Sequence, residues 1–96
     1  MSHTVMAEFP CAPGKGSELL SLLLPALADT RAFAGCLLVE TYVDQDNPDL
    51  IVLWEKWADR SKQEAYMAWR VETGMLGLIG PFLGGAPRFL HLSTAD

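Results

Sequence analysis

The sequence predicts an α+β fold in which a four-stranded antiparallel sheet carries its helices on one face, in the order β-α-β-β-α-β. Three observations predict it. Short apolar, β-prone runs alternate with helical ones in that order. A polar turn, Asp44-Gln45-Asp46-Asn47-Pro48-Asp49, joins the two central strands tightly enough to make them an antiparallel hairpin. And 96 residues suffice for a single domain over 1–96 but not for two.

Thr4 to Cys11 forms the first strand, β-prone at Val5 and Phe9 and ended by Pro10 and Ala12-Pro13-Gly14. Gly16-Ser17-Glu18 opens a helix with Ser17 at the N-cap position. Leu19, Leu20, Leu22, Leu23, Leu24 and Leu27 cover more than one face, which predicts a well-buried helix. Pro25 removes a backbone hydrogen bond inside it and predicts a kink or break. The helix ends between Arg31 and Gly35. Cys36 to Val43 is the second strand and Leu50 to Trp57 the third. Asp59 or Ser61 caps a second helix running to about Thr73, with Lys62, Glu64, Arg70 and Glu72 on its solvated side. Gly74 stops it. Met75 to Leu83, apolar and punctuated by glycine, is a short helix or a loop on the core, and Pro87 to Ser93 is the last strand. The order is the ferredoxin-like one.

Neither face of the central strands is polar. The second strand sets Leu37, Val39, Thr41 and Val43 against Cys36, Leu38, Glu40 and Tyr42. The third sets Leu50, Val52 and Trp54 against Ile51, Leu53, Glu55 and Trp57. Helices cover one face only, so the other calls for a second subunit, and a homodimer through the open sheet face is predicted. A slightly positive mean hydropathy points the same way.

Seven Lys and Arg against twelve Asp and Glu give a net charge of −5, with no basic run. Nucleic acid and anionic membrane surfaces are therefore excluded as partners, because phosphate contacts need clustered cations. The longest apolar run, Leu19 to Leu27, is interrupted by Ser21 and Pro25 and is too short to span a bilayer. Met1-Ser2-His3-Thr4 lacks the basic and apolar regions of a signal peptide. Cys11 and Cys36 lack CxxC spacing, so free thiols and a cytoplasmic location are predicted.

No GxSxG, HExxH, Walker loop or paired CxxC is present. Pro13-Gly14-Lys15-Gly16 offers helix-end amides to an anion but lacks the phosphate-loop pattern, and it also reads as a plain turn. His3 and His91 lie at opposite chain ends with no third ligand near either, so no metal site is predicted. Both cysteines read as small apolar fillers. Glu55 and Trp57 share one face of an otherwise apolar strand. Glu55 either pairs with Arg31, Arg70 or a backbone group, or stands at the edge of a pocket. Tyr66, Trp69 and Arg70, three and four apart on the second helix, share one face. They either pack on the sheet or line an aromatic cavity with a phenol and a guanidinium, suited to a planar aromatic or quinone-like ligand.

Taken together, these residues resemble the antibiotic biosynthesis monooxygenase family of small dimeric ferredoxin-like proteins. The resemblance rests on Pro13-Gly14-Lys15 before a leucine-rich helix, Thr30-Arg31, Ala34-Gly35-Cys36, Glu40-Thr41-Tyr42, Asn47-Pro48, and Glu55-Lys56-Trp57 with Asp59 beyond. It runs over most of the chain. It implies oxidation of reduced polycyclic phenols or anthrones to quinones with O2, without metal, flavin or other cofactor. The substrate supplies the carbanion, and the protein binds, desolvates and deprotonates it. Members commonly carry His where this chain has Tyr66. That departure removes a base suited to neutral pH, since unperturbed Tyr titrates near ~10, but leaves Tyr66 able to orient an enolate beside Trp69 and Arg70. A haem-degrading branch uses an Asn, a Trp and a His at positions held here by Phe9, Tyr66 and the stretch Met75 to Leu78, so haem oxygenation is not implied.

Three functions follow as expectations. The first is a cofactor-independent monooxygenase, with Tyr66 and Arg70 catalytic and Trp69, Trp57 and Glu55 binding a small aromatic substrate. The second is a dimeric module that holds an aromatic metabolite or a partner protein without turnover. The third is isomerase or cyclase chemistry, for which Glu55 and His91 are the available bases.

Overall fold

Val5, Ala7 and Phe9 alternate with Met6 and Glu8 along β1 (His3–Pro10), and the same period of two buries Ile51, Leu53, Glu55 and Trp57 along β3 (Leu50–Trp57). The computed structural model describes residues 2–96 and sets these two strands at the centre of an antiparallel sheet. The edges are β2 (Cys36–Val43) and β4 (Arg88–Leu92), giving the order β2-β3-β1-β4. Helices α1 (Gly16–Ala32), α2 (Arg60–Glu72) and α3 (Met75–Ile79), with a 3-10 turn at Gly80–Phe82, complete the predicted ferredoxin-like α+β arrangement. Cys11 lies beyond the first strand, in an isolated bridge to Leu83.

The start of α1 differs from the sequence reading. Ser17 does not cap it. The N-cap is Lys15, and the anion at this helix end is the chain's own Asp49, from the hairpin between β2 and β3. Its Oδ2 accepts from Gly14 N at 3.0 Å and its Oδ1 from Gly16 N at 2.9 Å, which holds the carboxyl below its ordinary pKa. The approach is close enough that a Cβ at Gly16 would overlap Pro48 O, so only glycine fits.

Helix α1 also runs unbroken through Pro25. The carbonyl freed by its missing N–H belongs to Ser21, on the exposed side of the helix. Nor is the helix buried all round: Leu19, Leu23, Leu27 and Thr30 form one stripe, while Leu24 is 50% exposed. Asp59 caps α2 as predicted, accepting from Lys62 N at 3.1 Å.

Strand β2 carries a bulge. Cys36 pairs with Trp57 and Leu38 with Lys56, so Leu37 is the extra residue. This puts Cys36 on the helix side with Val39 and Thr41, correcting the simple alternation. On the open side Met6, Val52, Trp54 and Leu90 are half-buried and Tyr42 is exposed.

Candidate functional site

The buried stripe of α1 ends in a hydroxyl, Thr30, 1% exposed. Facing it, the inner side of α2 carries Gln63, Tyr66 and Arg70. Tyr66 Oη and Thr30 Oγ1 are 2.7 Å apart. Arg70 donates from Nε to Tyr66 Oη at 2.8 Å, and from Nη2 to Thr30 Oγ1 at 3.0 Å and Ala26 O at 2.8 Å. Arg70 is therefore not on the solvated side of its helix, as the charge pattern predicted, but 9% exposed. Its guanidinium lies 4.6 Å from the Trp69 ring centre and 5.3 Å from that of Tyr66. Three of its five N–H donors are used; among the described residues Nη1 has no partner, and no carboxylate lies within ion-pair distance.

Glu55 enters the same region from β3 and is 4% exposed. None of its expected partners, Arg31, Arg70 or the backbone, is the one it has. Trp57 Nε1 donates to Glu55 Oε1 at 2.9 Å, while Arg31 reaches Val39 O instead, at 3.1 Å. Burial raises the Glu55 pKa above the ordinary carboxylate value, and the Trp57 hydrogen bond offsets only part of the rise.

Between sheet and helices lies a cavity of about 50 Å³. Glu55, Tyr66, Arg70 and Thr30 are its polar lining, and Phe9, Leu53, Met75, Ile79 and Phe89 are among its apolar walls. It is smaller than the ~150 Å³ that holds a benzene ring. Of the predicted residues, the structure brings Glu55, Tyr66 and Arg70 to one cavity. Trp57 and Trp69 stand behind it: Trp57, fully buried, packs 5.0 Å from the Tyr66 ring, and Trp69 stacks on Arg70.

The sequence reading missed Thr30 as a site residue. Its signal was present, a hydroxyl where the stripe Leu19, Leu23, Leu27 calls for an apolar residue. It also left His3 and His91 apart. In the sheet they meet on neighbouring strands, His3 Nε2 2.9 Å from His91 Nδ1. Among the described residues no group of three His, Cys, Asp or Glu side chains could hold a metal ion.

The family model described as antibiotic biosynthesis monooxygenase matches residues 2–76. No curated protein matches the chain significantly. Solved structures share its fold. A crystal structure described as an antibiotic biosynthesis monooxygenase is 23% identical, with a TM-score of 0.86 over 98% of this chain and 99% of its own. Rv0793 from Mycobacterium tuberculosis is 24% identical, with a TM-score of 0.86 over 100% of this chain and 97% of its own. A conserved protein from Methanosarcina mazei is 18% identical, with a TM-score of 0.87 over 98% and 93%.

Proposed function

The chain belongs to the antibiotic biosynthesis monooxygenase family, and we propose that it is a cofactor-independent monooxygenase oxidising a reduced aromatic, quinol- or anthrone-like, with molecular oxygen. One observation carries this reading. Among the described residues, the buried Arg70 guanidinium has no counter-anion and its two Nη1 N–H groups no partner, and it lines a cavity with apolar walls. Burying a lone cation costs several kcal/mol, and an oxyanion bound in the cavity offsets that cost.

The chemistry follows from the pairing of charge and apolar wall. A hydroxyarene with an acidic C–H or O–H binds with its developing oxyanion on Arg70. Tyr66 fixes the guanidinium from one side and Trp69 from the other, and both are in place before the reaction. Glu55 forms the strand-side wall, held by Trp57. The anion's electrons pass to O2 in a space walled largely by apolar side chains. A ring needs more room than the cavity has, and α3 is the wall that yields. It is five residues long, lies between Gly74 and Gly80, and contributes Met75 and Ile79 to the lining. Gly74, at φ +86°, turns the chain where other residues are strained.

The open sheet face, with its apolar Met6, Val52, Trp54 and Leu90, supports a homodimer through that face. Free Cys11 and Cys36 support a cytoplasmic setting. Among the described residues no helix is long and apolar enough to cross a membrane.

The engaged phenol favours a second reading, a module that holds an aromatic ligand without turnover, because Tyr66 Oη is already bonded to Thr30 and Arg70. Oxygen uptake by metal-free protein with anthrones and dihydroxynaphthalenes separates the two. Uptake above autoxidation that falls in Tyr66→Phe and Arg70→Ala supports the oxygenase. Tight binding without uptake selects the module.

A further inference from the structure

We propose that Glu55 is the proton acceptor of the reaction, taking the substrate's acidic hydrogen while Arg70 holds the oxyanion across the same cavity. The inference rests on the monooxygenase reading and deepens it. Three observations on Glu55 support it. The carboxyl is 4% exposed, yet among the described residues it forms no salt bridge. One oxygen is committed, Oε1 to the Trp57 indole at 2.9 Å, and among the described residues Oε2 has no hydrogen-bond partner. And the residue lines the cavity from the sheet side, while Arg70 lines it from α2. A purely structural acceptor for Trp57 would need no ionisable group there, because a glutamine carbonyl accepts the same bond without the cost of desolvating a charge.

The substrate's C–H bond breaks, its proton joins the Glu55 carboxylate, and the electron pair remains on the ring system as an enolate held by Arg70. The enolate transfers electrons to O2 and a C–O bond forms, giving a peroxide that takes the proton back from Glu55. Loss of water breaks the O–O bond and the second C–H bond and leaves a carbonyl. The sum is CH2 + O2 giving C=O + H2O.

Burial sharpens the role, since a carboxyl with a raised pKa is a stronger base once ionised. Other titratable groups face Glu55. Tyr66 and Arg70 project from α2, Cys36 lies on β2, and His3 and His91 share the helix side of β1 and β4. All of them remain in a Glu55→Gln variant, so that variant isolates the carboxyl.

The test is deuterium exchange into the methylene of 1,8-dihydroxyanthrone, followed by NMR without oxygen, so that proton removal is read apart from oxidation. Wild-type protein is expected to accelerate exchange, with a rate that rises with pH through one ionisation. In Glu55→Gln the acceleration falls by about 10²–10⁴-fold and the pH limb disappears. Trp57→Phe removes the bond that favours the charged carboxyl and moves the limb to higher pH, a shift no merely structural role produces. Equal exchange in Glu55→Gln with its fold intact by circular dichroism, or exchange by wild type no faster than buffer, overturns the proposal. Oxygen uptake in the same preparations judges the parent reading separately. Glu55-dependent exchange without uptake supports the base and removes the oxygenase. Uptake with Glu55-independent exchange does the reverse.

Discussion

Arg70 Nε donates to Tyr66 Oη at 2.8 Å, one turn back along α2, so the cation and the phenol of the cavity wall act as one unit. Thr30 closes the unit from α1, within 2.7 Å of the phenol and 3.0 Å of the guanidinium. Removing the phenol oxygen leaves Arg70 Nε–H without its acceptor and Thr30 Oγ1 with the Arg70 Nη2 bond alone. Tyr66→Phe is expected to lower the unfolding free energy by about 1–3 kcal/mol, measured by urea denaturation. An unchanged midpoint would show that the network contributes nothing to stability.

The raised pKa of Glu55 makes a signed stability prediction. Below the ordinary glutamate value of 4.5 the carboxyl is protonated folded and unfolded, and it has no effect. Above it the unfolded chain releases the proton first, so stability falls as pH rises until the folded pKa is passed. Glu55→Gln is spared this loss. The variant should match wild type at acidic pH and equal or exceed it near neutrality, as read from melting temperatures across that range. A wild-type advantage that grows with pH would mean that the ionised carboxylate is stabilised in a way its surroundings do not show.

Fixation of α1 by Asp49 gives a second signed prediction. The carboxyl's pKa is lowered by the Gly14 and Gly16 amides, so its contribution is present above about pH 3.8 and is lost as pH falls through the lower folded value. Asp49→Asn should remove this acid sensitivity. Gly16→Ala drives a methyl group into Pro48 O and should cost about 3 kcal/mol, the upper end for overpacking. Urea denaturation checks both, and a wild-type midpoint for Gly16→Ala would mean that the hairpin moves away freely.

Met75 is the half-buried residue that α3 presents to the cavity. Met75→Ala is expected to lower stability by about 2 kcal/mol while tightening binding of 1,8-dihydroxyanthraquinone about tenfold, by removing part of the cost of opening the wall. Quenching of the fluorescence of Trp69, which stacks on Arg70, reports the affinity. Weaker binding in this variant would place the opening elsewhere.

The fold was legible because its signals are local. Alternation marked β1 and β3, Asp59 marked the start of α2, and the Asp44–Asp49 turn forced a hairpin. What was hidden depends on contacts between distant residues. Asp49 replaces Ser17 at the head of α1 across 33 and 35 positions. The bulge at Leu37 turns Cys36 inward, and only the pairing with β3 reveals it. The candidate site was half legible. Spacing placed Tyr66 and Arg70 on one face, but the charge pattern put Arg70 in solvent, because no sequence rule shows that Thr30 and Ala26 lie within its reach. Trp57 as the partner of Glu55 was within view, since residues two apart on a strand share a face.

Whether the Arg70 cavity runs an oxygenation is read by 18O2 consumption by chelator-treated protein with 1,8-dihydroxyanthrone. Uptake is expected well above the buffer rate, with one labelled oxygen in each quinone formed and a loss of about 10²–10³-fold in Arg70→Ala. Uptake no faster than in buffer, or undiminished in Arg70→Ala, would contradict it.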